Sequence, residues 1–271
     1  MITAMYRSHV RRIWGMAASV ILVTGCFAAP SRTATAPDRA RWAPAVRTTW
    51  QWQLTTPVDL SVNVPVYDID GFENSAAVVA ALHRRGRHVI CYINVGAYEN
   101  FRPDHAAFPK ALLGRTDGWP GERWLDIRRT AVLGPIMARR FDMCRAKGFD
   151  AVEPDLVEGY ANTTGFPLTA REQLAYNRLI AGLAHARGLS VGLKNDLGQI
   201  PALLPAFDFA VNEQCFQYAE CGRLRPFIAA GKAVLHVEYE RAPAIFCRQA
   251  KALGFSSMRK RLSLDSWRQA C

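Results

Sequence analysis

Hydrophobic and polar positions follow a repeating order along the chain: a short apolar run ends in polar residues, and a longer segment with helical periodicity follows. The apolar runs predict eight strands, at residues 62–69, 88–94, 124–127, 149–153, 189–194, 207–211, 232–237 and 254–258. The periodicity between them predicts helices, the clearest over about 75–85, 130–147, 169–187 and 243–253. Strands that alternate with helices are typical of a parallel sheet.

Polar residues stand at the carboxyl end of nearly every predicted strand. In a (β/α)8 barrel, that rim carries the active site. An open doubly wound sheet would instead need a glycine-rich phosphate-binding loop after an early strand, and the sequence has none. We therefore predict an α/β fold made of a single (β/α)8 TIM-type barrel over residues 48–271.

Two tryptophans, Trp50 and Trp52, precede the first of these strands. At spacing i, i+2 both rings would face the same side of an extended segment. They could form the floor of a sugar-binding site or plug the bottom of the barrel, and the sequence favours neither interpretation.

The densest group of acids follows the strand predicted at 149–153, in the segment Gly148-Phe-Asp-Ala-Val-Glu-Pro-Asp-Leu-Val-Glu-Gly-Tyr160. Glu153 and Asp155 lie on the same side of an extended strand, and Pro154 between them cannot donate a ladder hydrogen bond, which suits a strand leaving its sheet. Acids crowded at the end of a buried strand cost free energy unless they are paired, protonated or used in chemistry. The segment therefore predicts the edge of an active site.

The other strand ends supply further candidates for such a site. Glycoside hydrolysis requires two carboxylates across a sugar, one as acid and the other as nucleophile or base. Lys194 could keep a neighbouring carboxylate ionised by lowering its pKa. The sequence has no Gly-x-Ser-x-Gly elbow for a serine hydrolase and no phosphate-binding loop for phosphoryl transfer. The candidate substrate-binding residues are Asp68, Asp70, Tyr92, Asn94, Asp126, Glu153, Lys194, Glu238 and Tyr239.

Several stretches, in order between residues 48 and 258, resemble glycoside hydrolase family 114. They are Trp50-Gln-Trp-Gln-Leu54, Val66-Tyr-Asp-Ile-Asp70, Cys91-Tyr-Ile-Asn-Val-Gly-Ala97, Trp124-Leu-Asp-Ile127, Gly148-Phe-Asp-Ala-Val-Glu-Pro-Asp155, Asn212-Glu-Gln-Cys215 and Val237-Glu-Tyr239. That family comprises endo-α-1,4-polygalactosaminidases on a TIM-barrel-like scaffold.

The resemblance implies hydrolysis of partly deacetylated, α-1,4-linked galactosamine polymers. It points to the carboxylates at the ends of the fourth and sixth predicted strands, which are Asp155 and Glu213. By analogy with retaining barrel enzymes, Asp155 is assigned as nucleophile and Glu213 as acid/base. The chain departs from the family pattern at Leu156, where an asparagine is expected.

Each candidate also has a structural interpretation. Asp155 and Glu213 could belong to structural ion pairs, and Glu153 could merely orient its neighbours. Asp68 and Asp70 could cap the helix that follows them. Two other functions remain open: a carbohydrate-binding lipoprotein without turnover, and a hydrolase of another cell-surface α-glycan.

Six cysteines remain once Cys26 is set aside, and an even number in an exported chain favours disulfides. A short Cys215–Cys221 loop and a Cys247–Cys271 staple of the C-terminus leave Cys91–Cys144 as the third pair. The six histidines form no i, i+4 pair or other ligand set. We therefore expect neither a metal nor a cofactor.

Residues 1–26 have the pattern of an export signal. A basic region through Arg12 precedes an apolar segment, 13–23, that is too short to span a bilayer comfortably. The sequence Val23-Thr-Gly-Cys26 resembles a bacterial lipobox in which Cys26 is lipidated; plain secretion with cleavage near residue 28 is the alternative. Residues 27–47, rich in Ala, Pro, Thr and Arg, predict a flexible tether.

The formal net charge of +11 comes mostly from arginines scattered over the predicted helices, which favours a solvated basic exterior. The one dense run, at residues 259–261, has no interleaved aromatic residues, so we expect no nucleic-acid partner. We expect a monomer whose partner is a polysaccharide and whose contact with a membrane is limited to a lipid anchor.

Overall fold

The computed structural model describes residues 41–271, so the predicted export signal, the lipidation site at Cys26 and most of the tether lie outside the described residues. The strands are β1 (Trp50–Gln53), β2 (Val66–Asp70), β3 (His88–Asn94), β4 (Ala97–Glu99), β5 (Glu122–Trp124), β6 (Ala151–Asp155), β7 (Ser190–Lys194), β8 (Phe209–Glu213), β9 (Val234–Glu238), β10 (Ser256–Arg259) and β11 (Gln269–Ala270). The α-helices are α1 (Ala76–His83), α2 (Thr130–Lys147), α3 (Ala170–His185), α4 (Ile200–Leu203), α5 (Arg225–Ala229) and α6 (Pro243–Leu253).

The strands form an α/β fold around one curled sheet, in the order β1-β2-β3-β6-β7-β8-β9-β10-β11. Every neighbouring pair from β1 to β10 is parallel, and β11 adds an antiparallel edge. Within residues 41–271 no strand ladder joins β1 to β10. Single hydrogen bonds connect this seam: Trp50 Nε1 donates to the Ser256 carbonyl and Gln51 Nε2 to the Ser266 carbonyl, both at 2.8 Å, and Leu54 N donates to the Leu264 carbonyl at 3.0 Å.

The described chain therefore does not form the complete (β/α)8 pattern that the sequence predicts. The connection from β1 to β2 contains no helix, and no ladder closes the sheet. The eight parallel strands also differ in membership from the eight predicted, because β1 joins the sheet and the strand predicted at 124–127 does not.

Local chemistry explains both differences. Gln51 and Gln53 make β1 look polar, yet both side chains are buried and donate to backbone carbonyls of Ser266 and of Thr55 and Pro57. The residues around Trp124 are buried as well, but they lie in a loop between β3 and α2, where β5 pairs antiparallel with β4.

Alternation along the strands divides the apolar residues into two cores. One face of the sheet carries an inner cluster with Trp50, Trp52 and side chains of every parallel strand except β7, including Val66, Ile90, Ala151, Phe209, Val237 and Met258. The other face packs against the helices in a larger cluster. At β7, Gly192 makes room inside the sheet, because a Cβ there would lie 2.5 Å from the Phe209 ring.

The three predicted disulfides are present, and each ties a different pair of elements. Cys91–Cys144 links β3 to α2, Cys215–Cys221 closes the loop after β8, and Cys247–Cys271 joins α6 to the end of the chain. The predicted capping box is also present at α3, where Thr169 Oγ1 accepts from Glu172 N and Glu172 Oε2 accepts from Thr169 N. No helix in the described part of the chain is long and apolar enough to cross a membrane.

Candidate active site

The carboxyl ends of the parallel strands surround a cavity of about 500 Å³. Six of the eleven predicted catalytic and substrate-binding residues line it: Asp70, Tyr92, Asp155, Lys194, Glu213 and Tyr239. The other five, Asp68, Asn94, Asp126, Glu153 and Glu238, are buried but do not border it. Trp52 borders this cavity, which fits the interpretation as the floor of a sugar site. Trp50 does not border it, which fits the interpretation as packing beneath the site.

Lys194 lies at the centre of the acidic residues. Its Nζ is 2.9 Å from Asp155 Oδ1, 3.2 Å from Glu213 Oε2 and 3.3 Å from Glu153 Oε1. Below it, the ammonium stands 4.8 Å from the centre of the Trp52 ring, where a cation–π contact stabilises it. With only 3% of its side chain exposed, Lys194 balances the surrounding carboxylates in a site of restricted solvent access.

The strand ladder explains how one lysine reaches three acids. β3 and β6 are paired at five positions, up to Asn94 and Asp155, whereas β6 and β7 are paired only at Ala151–Ser190 and Val152–Val191. Beyond those pairs the two strands are no longer joined by a ladder, and Lys194 spans the gap with its side chain.

Both carboxylate oxygens of Asp155 already accept hydrogen bonds. Lys194 Nζ donates to Oδ1 at 2.9 Å, and the Tyr92 hydroxyl donates to Oδ2 at 2.7 Å. Burial alone would raise the pKa of Asp155, but the ammonium and the hydroxyl together hold that pKa below its ordinary value. Asp155 is therefore a stable, oriented anion.

Glu213 is bound on both oxygens as well. The Tyr239 hydroxyl donates to Oε1, while Lys194 lies at Oε2 and the Asn195 amide donates to the same oxygen at 3.3 Å. The backbone N–H of Glu213 donates in turn to Asn195 Oδ1 at 3.0 Å. Asn195 thus fixes both the strand end and the side chain of Glu213.

Because one ammonium contacts both acids, the separation of Asp155 and Glu213 is bounded. The two oxygens that contact Lys194, Oδ1 of Asp155 and Oε2 of Glu213, lie 2.9 and 3.2 Å from its Nζ and so are no more than about 6 Å apart. That bound lies below the range of about 6.5–9.5 Å typical of carboxyl pairs that leave room for a water.

Three charged residues at this rim are each followed by a residue in the left-handed region. Leu156, Asn195 and Gln214 have φ of 59°, 47° and 61° and directly follow Asp155, Lys194 and Glu213. Asparagine tolerates this region better than leucine, which gives a physical reason for an asparagine at the position of Leu156. The turn also needs Gly96, because a Cβ there would lie 1.7 Å from the Leu156 carbonyl oxygen.

Asp68 and Glu153 form a second, deeper layer of carboxyl groups with no solvent exposure. Apart from Lys194, no N–H or O–H group among residues 41–271 hydrogen bonds to their four oxygens. Burial raises the pKa of Glu153 to about 7, and burial together with the charge of Glu153 raises the pKa of Asp68 well above its ordinary value. Burial and mutual repulsion therefore both favour protonation of this pair of carboxyl groups.

The remaining predicted residues hold the loops of the rim. Asn94 accepts from the N–H of Gly96 and Ala97, and Glu238 accepts from the N–H of Phe216 and contacts His236 at 3.1 Å. Asp126 forms a salt bridge with Arg128 and Asp70 forms one with Arg102, each at 2.7 Å. Asp70 also accepts from two backbone N–H groups of the turn before α1, whose N-cap Ser75 makes no side-chain cap bond.

Several cavity residues were not among the predicted site residues. They come from the segments that follow β2, β3, β6, β7 and β10 and include Glu73, Glu99, Phe101, Arg102, Trp119, Glu122, Glu158, Asn195 and Leu262. The available signal was an acid just beyond a strand end, as at Glu99 and Glu158. The aromatic pair Phe101 and Trp119 belongs to a long loop whose course the sequence does not specify.

The cavity is strongly acidic although the chain as a whole is basic. Seven carboxyl groups and only two cations, Arg102 and Lys194, line it. Burial and neighbouring acids raise the pKa of Glu158 and of Glu122 to about 8. The site would therefore attract a cationic ligand and can hold protons at neutral pH.

One group of potential metal ligands occurs in the described residues, Cys215, Cys221 and His236. The two cysteines are joined in a disulfide, so neither offers the thiolate that zinc binding requires. His236 instead contacts Ser257 and Glu238. The group does not fit a metal centre.

Comparison with known proteins places the chain among glycosidases. The model of "Glycoside-hydrolase family GH114" matches residues 31–271. The crystal structure of Aspergillus fumigatus Ega3 in complex with galactosamine is 40% identical, superposes with a TM-score of 0.80, and is matched over 86% of this chain and 98% of that one.

Two further relatives are more distant. The glycoside hydrolase domain of PelA from Pseudomonas aeruginosa has a TM-score of 0.64 over 83% of this chain and 98% of that one; at 12% identity the likeness concerns the fold alone. A protein of Deinococcus radiodurans is 30% identical over 241 residues, which cover 78% of this chain and 75% of that one.

Proposed function

Because this chain belongs to glycoside hydrolase family GH114, we propose that it is an endo-acting hydrolase of α-1,4-linked, galactosamine-containing polysaccharide. The observation that carries the proposal is the pair Asp155 and Glu213, held on either side of one buried ammonium at the rim of the sheet. Two fixed carboxyl groups at the edge of an open cavity are the equipment that glycoside hydrolysis needs.

Asp155 suits the role of nucleophile, since its lowered pKa keeps it ionised and two donors orient it. In the first step Asp155 attacks the anomeric carbon, the glycosidic bond breaks, and Glu213 gives its proton to the leaving oxygen. In the second step a water oxygen attacks that carbon, Glu213 takes the proton, and Asp155 leaves as a carboxylate.

Lys194 fits both steps because it contacts both acids. The first step neutralises Asp155 as an ester and leaves Glu213 negative, so the charge moves from one carboxyl group to the other. Both acceptor oxygens lie within 3.2 Å of the same ammonium, which therefore stabilises the cluster before and after the transfer. The bound of about 6 Å between those oxygens favours a covalent, retaining mechanism over an inverting one.

The acidic lining supports an amino-sugar substrate. Seven carboxyl groups around the cavity would attract a chain that carries ammonium groups, and the chemistry of the bound sugar in the Ega3 complex is consistent with this. We assign substrate contact to the predicted residues that border the cavity, Asp70, Tyr92, Lys194 and Tyr239, and positioning roles to those behind it.

We also propose export and a barrel-like scaffold. Three disulfides support an oxidising compartment, while lipidation rests on the sequence around Cys26 alone. Mass spectrometry of the N-terminal peptide from the native host would detect the lipid or its absence. The eight parallel strands, with a seam joined at Trp50–Ser256, form a TIM-like barrel that, within the described residues, lacks the helices after β1 and after β10.

Release of reducing ends from partly deacetylated α-1,4-galactosamine polymer tests the function. We expect release by the purified protein and at least a 10³-fold lower rate for Asp155→Asn and Glu213→Gln, whose folds should remain intact. Asp142→Asn is a matched control, because Asp142 pairs with Arg187 on the surface of α2 and 60% of its side chain is exposed. Saturable binding without release would instead indicate a carbohydrate-binding protein without turnover. Absence of both binding and release would refute the proposed substrate. Proton NMR of the first product anomer would decide between retention and inversion.

A further inference from the structure

A second cavity, of about 590 Å³, adjoins the first. The two share the lining residues Glu158, Asn195 and Glu213, whereas Asp70 and Trp119 border only the first. The proposed acid/base residue therefore stands between two halves of one cleft rather than at its end.

The second cavity has a fixed polar wall. Asp196, at φ 43°, accepts from the Tyr160 hydroxyl at 3.2 Å and from the Asn177 amide at 3.0 Å. Gly198 makes room for that hydroxyl, since a Cβ there would lie 2.5 Å from it. A hydrogen bond from Asn177 on α3, a second from Tyr160 and the space made by Gly198 together keep this carboxyl group in one place.

Glu158 connects the two halves. Its Oε2 is buried and has no hydrogen-bond partner within residues 41–271. An unpartnered carboxyl oxygen at the junction of two cavities is available to a ligand that lies across both. With Asp196, Glu213 and Glu220, the second cavity has four acids and a single cation, Arg223.

Exposed aromatic side chains border both halves of this cleft. Phe101 and Trp119 border the first cavity and are each 54% exposed, while Tyr218 borders the second and is 65% exposed. Tyr218 lies in the loop closed by Cys215–Cys221, which spans six positions. A short, covalently closed loop loses little entropy when a ligand packs against its side chain.

We infer that the second cavity binds the amino-sugar units on the opposite side of the cleaved bond from those in the first, with Tyr218 as the stacking platform and Glu158 as a positioning residue at the junction. The inference rests on the proposed function. It explains how a polymer could lie across the catalytic pair and be cut internally, because units are held on both sides of Glu213.

The test compares Tyr218→Ala with wild type on deacetylated α-1,4-galactosamine oligomers of increasing length. We expect kcat/KM to fall by about three- to five-fold on oligomers that span the cleft, the size of an exposed aromatic contact, with a loss that grows with chain length. Ile245→Ala is the control, because Ile245 is 66% exposed on α6 and borders neither half of the cleft. Equal losses for every length, or the same loss in the control, would overturn the inference.

A binding measurement separates this inference from the proposed function. Calorimetric titration of a long oligomer into Asp155→Asn, with and without Tyr218→Ala, should show weaker binding in the double variant, and Glu158→Gln should likewise weaken it. Absence of hydrolysis by wild type would refute the proposed function. The titration would still show whether the second cavity contributes to oligomer binding. Unchanged affinity on removal of the tyrosine would refute the inference even if wild type is an active hydrolase.

Discussion

The Tyr92 hydroxyl donates a 2.7 Å hydrogen bond to Oδ2 of Asp155, the oxygen that Lys194 does not contact. The tyrosine comes from β3 and the aspartate from β6, and the register places Tyr92 beside Glu153, two positions before Asp155. The bond thus joins adjacent strands at the rim and contributes to the lowered pKa of Asp155.

Replacement of Tyr92 by Phe should slow the proposed reaction while preserving the fold. A hydrogen bond to a charged group contributes about 1.5–3 kcal/mol, so kcat/KM should fall by roughly 10- to 100-fold. Loss of the donor also removes a cause that lowers the pKa of Asp155, so the acid limb of the pH–rate profile should move to higher pH. Tyr98→Phe is the control, since Tyr98 lies on β4 outside this cavity and packs against Phe108. An unshifted acid limb in Tyr92→Phe would show that the hydroxyl does not tune Asp155.

Replacement of Lys194 by Met should destabilise the protein as well as abolish activity. The change leaves Glu153, Asp155 and Glu213 facing one another without a cation, and removal of one partner from a buried ion pair costs about 3–5 kcal/mol. The loss should be smaller at pH 5 than at pH 8, because protonation of the carboxylates relieves their repulsion at low pH. Chemical denaturation at both pH values measures it, and an equal loss at both would contradict the electrostatic account.

Replacement of Gly96 by Ala should disturb the turn after Asp155. The new Cβ would lie 1.7 Å from the Leu156 carbonyl oxygen, so one of the two backbones must move, at a cost of about 1–3 kcal/mol. Activity should fall with stability, since Asp155 moves with its neighbour. Gly182→Ala is the opposite case: Gly182 is exposed within α3 with nothing near its Cβ position, so stability should rise by about 0.5–1 kcal/mol. Thermal melts and reducing-end assays on both variants provide the comparison.

The free energy of unfolding should decrease as pH rises through neutrality. Burial raises the pKa of Glu153 from 4.5 to about 7, so the folded protein binds a proton that the unfolded chain has released. This stabilisation is complete below the unfolded pKa and is lost as pH rises through about 7, an effect on the order of 3 kcal/mol. Urea denaturation between pH 5 and 8 measures the slope, and Glu153→Gln should reduce it. A slope identical to wild type would show that this carboxyl group is ionised in the folded state near pH 5.

Much of this protein follows from local sequence patterns. Alternation of apolar runs with helical periodicity was enough to predict most elements of the parallel sheet, and acids at strand ends such as Asp155 and Glu213 indicated which rim carries the site. The capping box at Thr169 and the pairs Cys215–Cys221 and Cys247–Cys271 were also predictable from short spacings, and the even count left Cys91–Cys144 as the third pair.

The depth of each acid below the rim of the sheet was decided by the tertiary structure alone. Alternation shows that Asp68 and Glu153 face inward, but only the register of all the strands shows that they lie beneath the cavity while Asp155 borders it. The tertiary structure also decided that β1 is a buried strand, because its glutamine side chains donate hydrogen bonds to carbonyls of Ser266 and of the loop at 55–57. It likewise decided that Lys194 contacts three acids, because the ladder between β6 and β7 ends early. Such relationships depend on residues far apart in the chain, and no local pattern contains them.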